Sequence, residues 1–252
     1  MRSKERRSVL LEMLRTGEVD VDELAGRFNV SASTVRRDLQ HLSSAKAVRR
    51  TYGGAILAHS APEESLSRRQ SINGAQKDAI ARAALQLLAH DEILILDAGS
   101  TVTAFGRLLK ARRHRVITNN LSLLPILSDA PGIEMIILGG TLRATSMSTV
   151  GPQAMEAMRR MTADKVFLSA DGIVAGRGLC EASFDQVALK SLMMEQGREI
   201  VVLADATKLS RSDQAFWAQL PHRWTLITDT RASAAQCESF AAIGAHVIQA
   251  EV

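Results

Sequence analysis

Two hydrophobic periods run through this chain, and together they predict an α/β protein in two parts. Residues 1–56 carry the spacing of short amphipathic helices and end in a β-prone run. Residues 75–252 alternate short apolar strands with helices, the pattern of a mainly parallel sheet covered on both faces. Charge is the third observation. Residues 1–60 hold 11 Lys and Arg against 7 Asp and Glu, and 61–252 hold 20 against 20. The whole net charge of +4 therefore lies on the first part. The intervening 57–74 has no sustained period, contains Pro62 and ends in Asn73-Gly74, so it reads as a linker.

The first helix spans about 4–15, with Val9, Leu10, Met13 and Leu14 on its apolar side, and Gly17 breaks it. The second spans 20–28, with Val21, Leu24, Ala25 and Phe28; Asp20 caps it, and Glu23 three residues on completes a capping box. Asn29-Val30 is a tight turn. Ser31 caps a third helix, whose Val35, Leu39 and Leu42 recur at i, i+4 and i+7. Ser33, Thr34, Arg36 and Arg37 project from other faces. Hydroxyls at a helix start reach phosphates or base edges, and arginine grips guanine with two hydrogen bonds. Val48–Gly54 then reads as a wing whose Arg50, Thr51 and Gly53 approach the DNA backbone. An isolated Arg-Arg pair usually means a solvated basic face. Helix, helix, turn, helix and wing in this order reverse that reading, because this is the winged helix-turn-helix arrangement. The predicted partner of this head is double-stranded operator DNA.

At 252 residues and 46% hydrophobic content the chain suffices for two domains. It has no uncharged apolar run of about 18 residues, so no membrane span is expected. The basic N-terminus lacks an apolar stretch of the secretory type. Cys180 and Cys237 lie far apart, in a spacing that suits a reducing cytoplasm better than a metal site. The six histidines show no ligand spacing. Neither metal nor cofactor is expected, and the predicted location is cytoplasmic.

Past the linker, a helix is predicted over 75–90, with Ile80, Ala84, Leu87 and Leu88 on one side. Strands follow at Ile93–Leu96, Val116–Thr118, Met135–Leu138, Val166–Ser169, Ile200–Leu203, Leu226–Thr228 and Val247-Ile248. Helices are predicted near 101–111, 121–128, 152–160, 184–196 and 232–242. In a parallel sheet all strand C-termini share one edge, where ligands bind. This chain places Asp97 through Thr101, Asn119-Asn120, Gly139-Gly140, Asp171-Gly172 and Asp205 through Lys208 after successive strands. Polar loops after strands are common, but this run of small, polar and charged residues predicts a ligand crevice. Its sharpest part is the turn holding Gly99, Ser100 and Thr101, where a small residue, hydroxyls and a helix start offer a seat for phosphate. It is not a P-loop, and no GxGxxG follows a strand. Lys208 adds charge for the same phosphate, and Lys190 reaches the ligand from its helix; each alone would be an ordinary solvated lysine. The predicted effector-binding residues are Asp97, Gly99, Ser100, Thr101, Asn119, Gly139, Gly140, Asp171, Lys190 and Lys208.

Val30-Ser31, Ser33-Thr34-Val35-Arg36-Arg37-Asp38-Leu39 and Arg50-Thr51-Tyr52-Gly53-Gly54-Ala55 closely resemble the N-terminal signature of DeoR-type bacterial transcriptional regulators, approximately VSxxT(I/V)RRDLxxLxxxGxLxRxxGGA. Lys46-Ala47 stands where that pattern has its glycine before the wing. The resemblance extends over nearly the whole chain, through Asp97–Thr101, Thr118-Asn119-Asn120, Gly139-Gly140, Asp164–Phe167 and Asp205–Lys208. It implies a sensor with the fold of sugar-phosphate isomerases that binds a phosphorylated sugar and thereby weakens operator binding. Ala98 replaces the usual serine, and Gln186 replaces a glutamate common before the helix lysine.

The expected function is thus a transcriptional regulator, a repressor of a carbohydrate operon, acting as a homo-oligomer (dimer or tetramer) because helix-turn-helix proteins read paired half-sites. The alternative is a sugar-phosphate isomerase carrying a DNA-binding head. Isomerisation needs a base and an acid beside the substrate carbons. The related isomerases show an acid-rich D-G-x-D-E-like run, whereas Asp171-Gly172-Ile173-Val174-Ala175 lacks the second acidic pair. No catalytic residue is therefore assigned.

Overall fold

A computed structural model describes residues 3–16, 19–44, 48–50, 54–57 and 64–252. The head consists of α1 (Ser3–Thr16), β1 (Val19–Asp20), α2 (Val21–Phe28), α3 (Ala32–Ser44), β2 (Val48–Arg50) and β3 (Gly54–Leu57). Its core is the apolar stripe of each helix: Leu10 from α1, Val21 and Leu24 from α2, and Val35, Leu39 and Leu42 from α3. The strands form an antiparallel sheet in the order β1-β3-β2. The turn between α2 and α3 is made by Asn29 in a left-handed conformation (φ 50°, ψ 52°), its N–H returning to the carbonyls of Ala25 and Gly26. Asparagine tolerates that region better than most residues.

The stretch read as a linker holds regular structure where it is described. Residues Leu66–Ser71 form a short helix, α4, capped by Ser65 and followed by α5 (Gly74–Leu85). Leu66 is buried, which a stretch without hydrophobic period does not announce. The helix predicted to run to residue 90 stops at Leu85, because Gln86, Leu87 and Leu88 each bond the carbonyl three residues back, the tightened geometry of a helix end.

The chain then runs β4 (Ile93–Leu96), α6 (Ser100–Arg107), β5 (His114–Thr118), α7 (Leu124–Leu127) and β6 (Ile133–Ile137). A hairpin of β7 (Thr141–Arg143) and β8 (Ser148–Val150) leads to α8 (Pro152–Met158) and β9 (Ala163–Leu168). After β10 (Gly172–Val174) and β11 (Gly178–Glu181) come α9 (Phe184–Gln196), β12 (Gly197–Leu203) and β13 (Phe216–Ala218). The chain closes with β14 (Trp224–Asp229), α10 (Ala234–Ala241) and β15 (Ala245–Ala250).

Seven of these strands make one parallel sheet, ordered β15-β14-β12-β9-β4-β5-β6. Every predicted strand of the second part is in it. Alternate residues feed two cores: Leu94 and Leu96 face α5 and α6, and Ile95 faces the core built with α8, α9 and α10. Burial on both sides is why these strands read as unbroken apolar runs. The β7–β8 hairpin and the small antiparallel sheet β10-β11-β13 were not predicted. The order of the large sheet places its first strand, β4, in the interior beside the central β9; the next two add on one side and the rest on the other. The reversal falls between β4 and β9, and such a switch point opens a crevice at the strand C-termini.

Candidate functional site

In the head, the start of α3 is organised by Ser31. Its hydroxyl accepts from the Thr34 amide at 3.2 Å and lies 2.8 and 2.9 Å from the hydroxyls of Ser33 and Thr34. Ser33, Arg36 and Arg37 are exposed on the helix, while Asp38 turns inward to the Arg6 guanidinium at 2.6 Å. Both members of that pair are buried, so it ties α1 to α3. Arg50 lies on β2; Thr51 and Gly53 lie outside the described residues.

At the switch point of the large sheet, the turn from β4 into α6 presses against the end of β9. A Cβ on Gly99 would sit 1.9 Å from Ser169 Oγ, so only glycine permits this approach without displacing that side chain. Ser100 opens α6 and lines a narrow cleft of about 60 Å³ with Glu64, Arg69, Ile72, Asn73, Lys77, Asp205, Thr207, Lys208 and Arg211. Four cationic side chains thus face two carboxylates. Burial depresses the Lys208 ammonium, and the neighbouring Arg211 depresses it further. Burial likewise lowers Lys77, with Lys208 and Arg69 adding to the effect while Asp205 opposes it. Cations crowded against one another at the start of a helix form a field that an anion relieves.

Asp171 meets this cleft through Arg69, whose Nη1 is 3.5 Å from its Oδ1. The approach depends on Gly172, where a Cβ would lie 2.1 Å from the Arg211 carbonyl oxygen. Asp205 is buried and accepts from Asn73 Nδ2 at 3.0 Å and from the Thr207 amide and hydroxyl at 3.1 and 2.5 Å.

Behind the β4–α6 turn lies a charged cluster closed to solvent. Lys190 on α9 donates to Asp97, to the Ser169 carbonyl at 2.6 Å, and to Glu181 at 3.2 Å. The Gln186 amide donates to the other Glu181 oxygen at 3.0 Å. Burial pushes the Glu181 carboxyl up to about 8, against the pull of Lys190. Burial also disfavours charge on Lys190, but Asp97 and Glu181 outweigh it and hold the ammonium above its ordinary value. One lysine thus serves two buried carboxyl groups, and burial favours the neutral form of Glu181.

Residues 6–61 match the DeoR-like helix-turn-helix domain, and residues 72–230 match the DeoR C terminal sensor domain. The chain belongs to the DeoR family. It is 32% identical over 240 residues to the HTH-type transcriptional repressor GlcR of Bacillus subtilis, spanning 94% of this chain and 93% of that one. To the lactose phosphotransferase system repressor of Lactococcus lactis it is 30% identical over 246 residues, covering 95% and 96%. Among solved structures it is similar to ribose 5-phosphate isomerase A of Methanocaldococcus jannaschii, with a TM-score of 0.40, 18% identity and 54% of each chain covered. As a DeoR-family member the chain is a DNA-binding transcriptional regulator.

The cleft of this DeoR-family sensor gathers part of the predicted set. Ser100 and Lys208 line it, and Gly99 shapes the turn beside it. Thr101 is in the same turn but buried. Lys190 is neither solvated nor at the cleft; its charge is spent on Asp97 and Glu181, and Asp97 shares that buried position. Asn119 is buried and donates to the Thr149 carbonyl at 3.1 Å, which fastens the β7–β8 hairpin beside the sheet. Its neighbour Asn120 pins three segments together, donating to the Asp97 carbonyl at 3.3 Å and Thr103 Oγ1 at 3.0 Å and accepting from the Ser122 amide at 3.1 Å. Gly140, with φ 121°, packs where a Cβ would lie 2.4 Å from the Val150 carbonyl oxygen; Gly139 is exposed, and neither lines the cleft. Sequence reasoning missed Arg69, Lys77 and Arg211. The signal available was Ser67-Arg68-Arg69 and Lys77, basic residues immediately before a domain whose overall charge is balanced.

Among the described residues, no group of three or more His, Cys, Asp or Glu is placed to hold a metal ion, and no helix is long and apolar enough to cross a membrane.

Proposed function

We propose that this regulator represses genes of carbohydrate use and leaves its operator when a phosphorylated sugar enters the cleft at the β4–β9 switch point. The convergence of Arg69, Lys77, Lys208 and Arg211 beside the N-terminus of α6 carries this reading. Four cations suit a phosphate ester, and Asp171 and Asp205 beside them suit sugar hydroxyls. On the head, Ser33, Thr34, Arg36 and Arg37 of α3 contact bases and phosphates, with Ser31 fixing the helix start and Arg50, Thr51 and Gly53 contributing from the wing. We place the head at 1–56 and the sensor at 75–252, joined by 57–74. The regulator acts in the cytoplasm as a symmetric oligomer, whose two heads read paired half-sites. Release follows from linkage: an effector that prefers the conformation binding DNA poorly lowers operator affinity by that preference.

The test is binding of the purified protein to DNA upstream of its own gene and its neighbours, with and without a panel of sugar phosphates. A sequence-specific complex released by one of them is expected. Specific binding that no sugar phosphate releases would overturn the effector assignment. An isomerase reading would require steady turnover of such an ester, abolished by Asp171→Asn.

A further inference from the structure

The cleft has two banks of different origin. Lys208 and Arg211 belong to the loop after β12, inside the sensor. Arg69 sits on α4, in the stretch that joins the head to the sensor, and Lys77 is on α5 immediately after it. The geometry of α4 shows how it is held. The Leu66 amide donates to the Thr145 carbonyl at 2.9 Å, and the Leu66 side chain is buried. Arg69 reaches Asp171 and the Thr145 carbonyl at 3.5 Å each, the outer limit of a hydrogen bond. At the other end, the Lys77 ammonium donates to the carbonyls of Arg69 and Ile72, the latter at 2.7 Å, and so caps the C-terminus of α4. An ammonium has three donors, so after these two bonds the third remains to be directed into the cleft that Lys77 lines.

We propose that the connecting helix is itself half of the effector site: the effector's phosphate bridges Arg69 and Lys77 on one bank to Lys208 and Arg211 on the other, clamping α4 to the sensor. This rests on the reading that the cleft takes a phosphate ester, and adds where its occupancy is felt. Arg69 exchanges a long ion pair with Asp171 for a shorter one with phosphate. Lys77 transmits the same event to the helix end, because one ammonium holds both the phosphate and the last carbonyls of α4. The position of the segment carrying the head then depends directly on occupancy.

The experiment is amide hydrogen exchange on the full-length protein with inorganic phosphate as the probe, beside calorimetric titration of phosphate into wild type, Arg69→Ala, Arg69→Lys and Asp171→Asn. Phosphate should slow exchange across 66–73 as well as across 205–211. Arg69→Ala should weaken phosphate binding by about tenfold or more and abolish protection of 66–73, the loss expected for one charge-assisted bond. Arg69→Lys, which keeps the charge without the fork, should fall between. Asp171→Asn should tighten phosphate binding only while Arg69 is present. Phosphate that binds and protects 205–211 but not 66–73, or binds Arg69→Ala and Arg69→Lys as well as wild type, would overturn the clamp and leave the cleft assignment standing. Absence of phosphate binding would overturn both.

Discussion

Asp38 follows two exposed arginines in sequence, yet it turns into the head. Arg36 and Arg37 are exposed on α3, while Asp38 is paired with Arg6 inside the head. Adjacent residues on a helix point about 100° apart, so one short motif can serve both the proposed DNA contact and packing. The two roles separate experimentally. Arg37→Ala should weaken operator binding by about 1–3 kcal/mol while the head stays folded. Fluorescence anisotropy against labelled operator measures this, and an unchanged affinity would remove Arg37 from the DNA contacts. Asp38→Ala should instead leave a buried guanidinium poorly compensated and destabilise the head by about 3 kcal/mol. Urea denaturation with amide exchange at Leu10, Val35 and Leu39 would show it; a head as stable as wild type would mean Arg6 finds water or another partner at little cost. In the sensor, Lys208→Ala should shrink the ratio of operator affinities measured without and with the active sugar phosphate. If that ratio is unchanged, Lys208 is not an effector ligand.

At the scale of elements, the turn after β9 depends on Gly172 as a spacer against the loop carrying Lys208 and Arg211. Gly172→Ala meets a backbone oxygen that no rotamer can move. It should cost about 1–3 kcal/mol of stability, as overpacking does, and should part Asp171 from the cleft. Equilibrium denaturation tests the first effect and effector release the second; an alanine variant matching wild type in both would show that the loop yields freely. Which elements are legible in the sequence follows from the same physics. The seven parallel strands are, because burial on both faces writes them as apolar runs. α9 is too, since Ser183 caps it and its apolar residues repeat. The strands β7, β8, β10, β11 and β13 are three or four residues long, and their pairing is set by distant partners such as Cys180 with Trp217. No local period records that. The cleft is half legible for a related reason. The Gly99–Ser100 turn announces itself as a small, hydroxyl-bearing start of a helix. Arg69 and Lys77 reach the cleft only through tertiary docking of α4 and α5, and the Lys190 partners Asp97 and Glu181 come from two different sheets that α9 brings together.

For the whole molecule, the buried cluster of Lys190, Asp97 and Glu181 sets a pH dependence. The Glu181 carboxyl is held protonated to about 8 in the folded chain, chiefly by burial, whereas an unfolded glutamate releases its proton near about 4.3. Between these values the folded state binds a proton that the unfolded state has lost. Stability therefore falls as pH rises through that window and levels off above it. Lys190, raised by Asp97 and Glu181 against the effect of burial, contributes stability that is fully present below the ordinary lysine value, so it does not mask the trend. Cys180, pushed by burial to about 12, adds its own decline only above the ordinary thiol range. Thermal melts from pH 5 to 8 should show Tm falling in wild type and a flatter profile in Glu181→Gln. Parallel slopes in the two proteins would mean that Glu181 is ionised throughout.

The sheet that grows outward from an interior strand has a consequence for the order in which the regulator becomes competent. The residues of the proposed cleft are scattered along the chain, from Arg69 and Lys77 through Ser100 to Lys208 and Arg211. The head, with a core of its own, precedes all of them. At ribosomal rates of about 5–20 residues per second, the head is made on the order of ten seconds or more before Arg211. With the proposed cleft as the effector site, a nascent regulator possesses its folded head before it can recognise an effector, and every copy is born deaf to its signal.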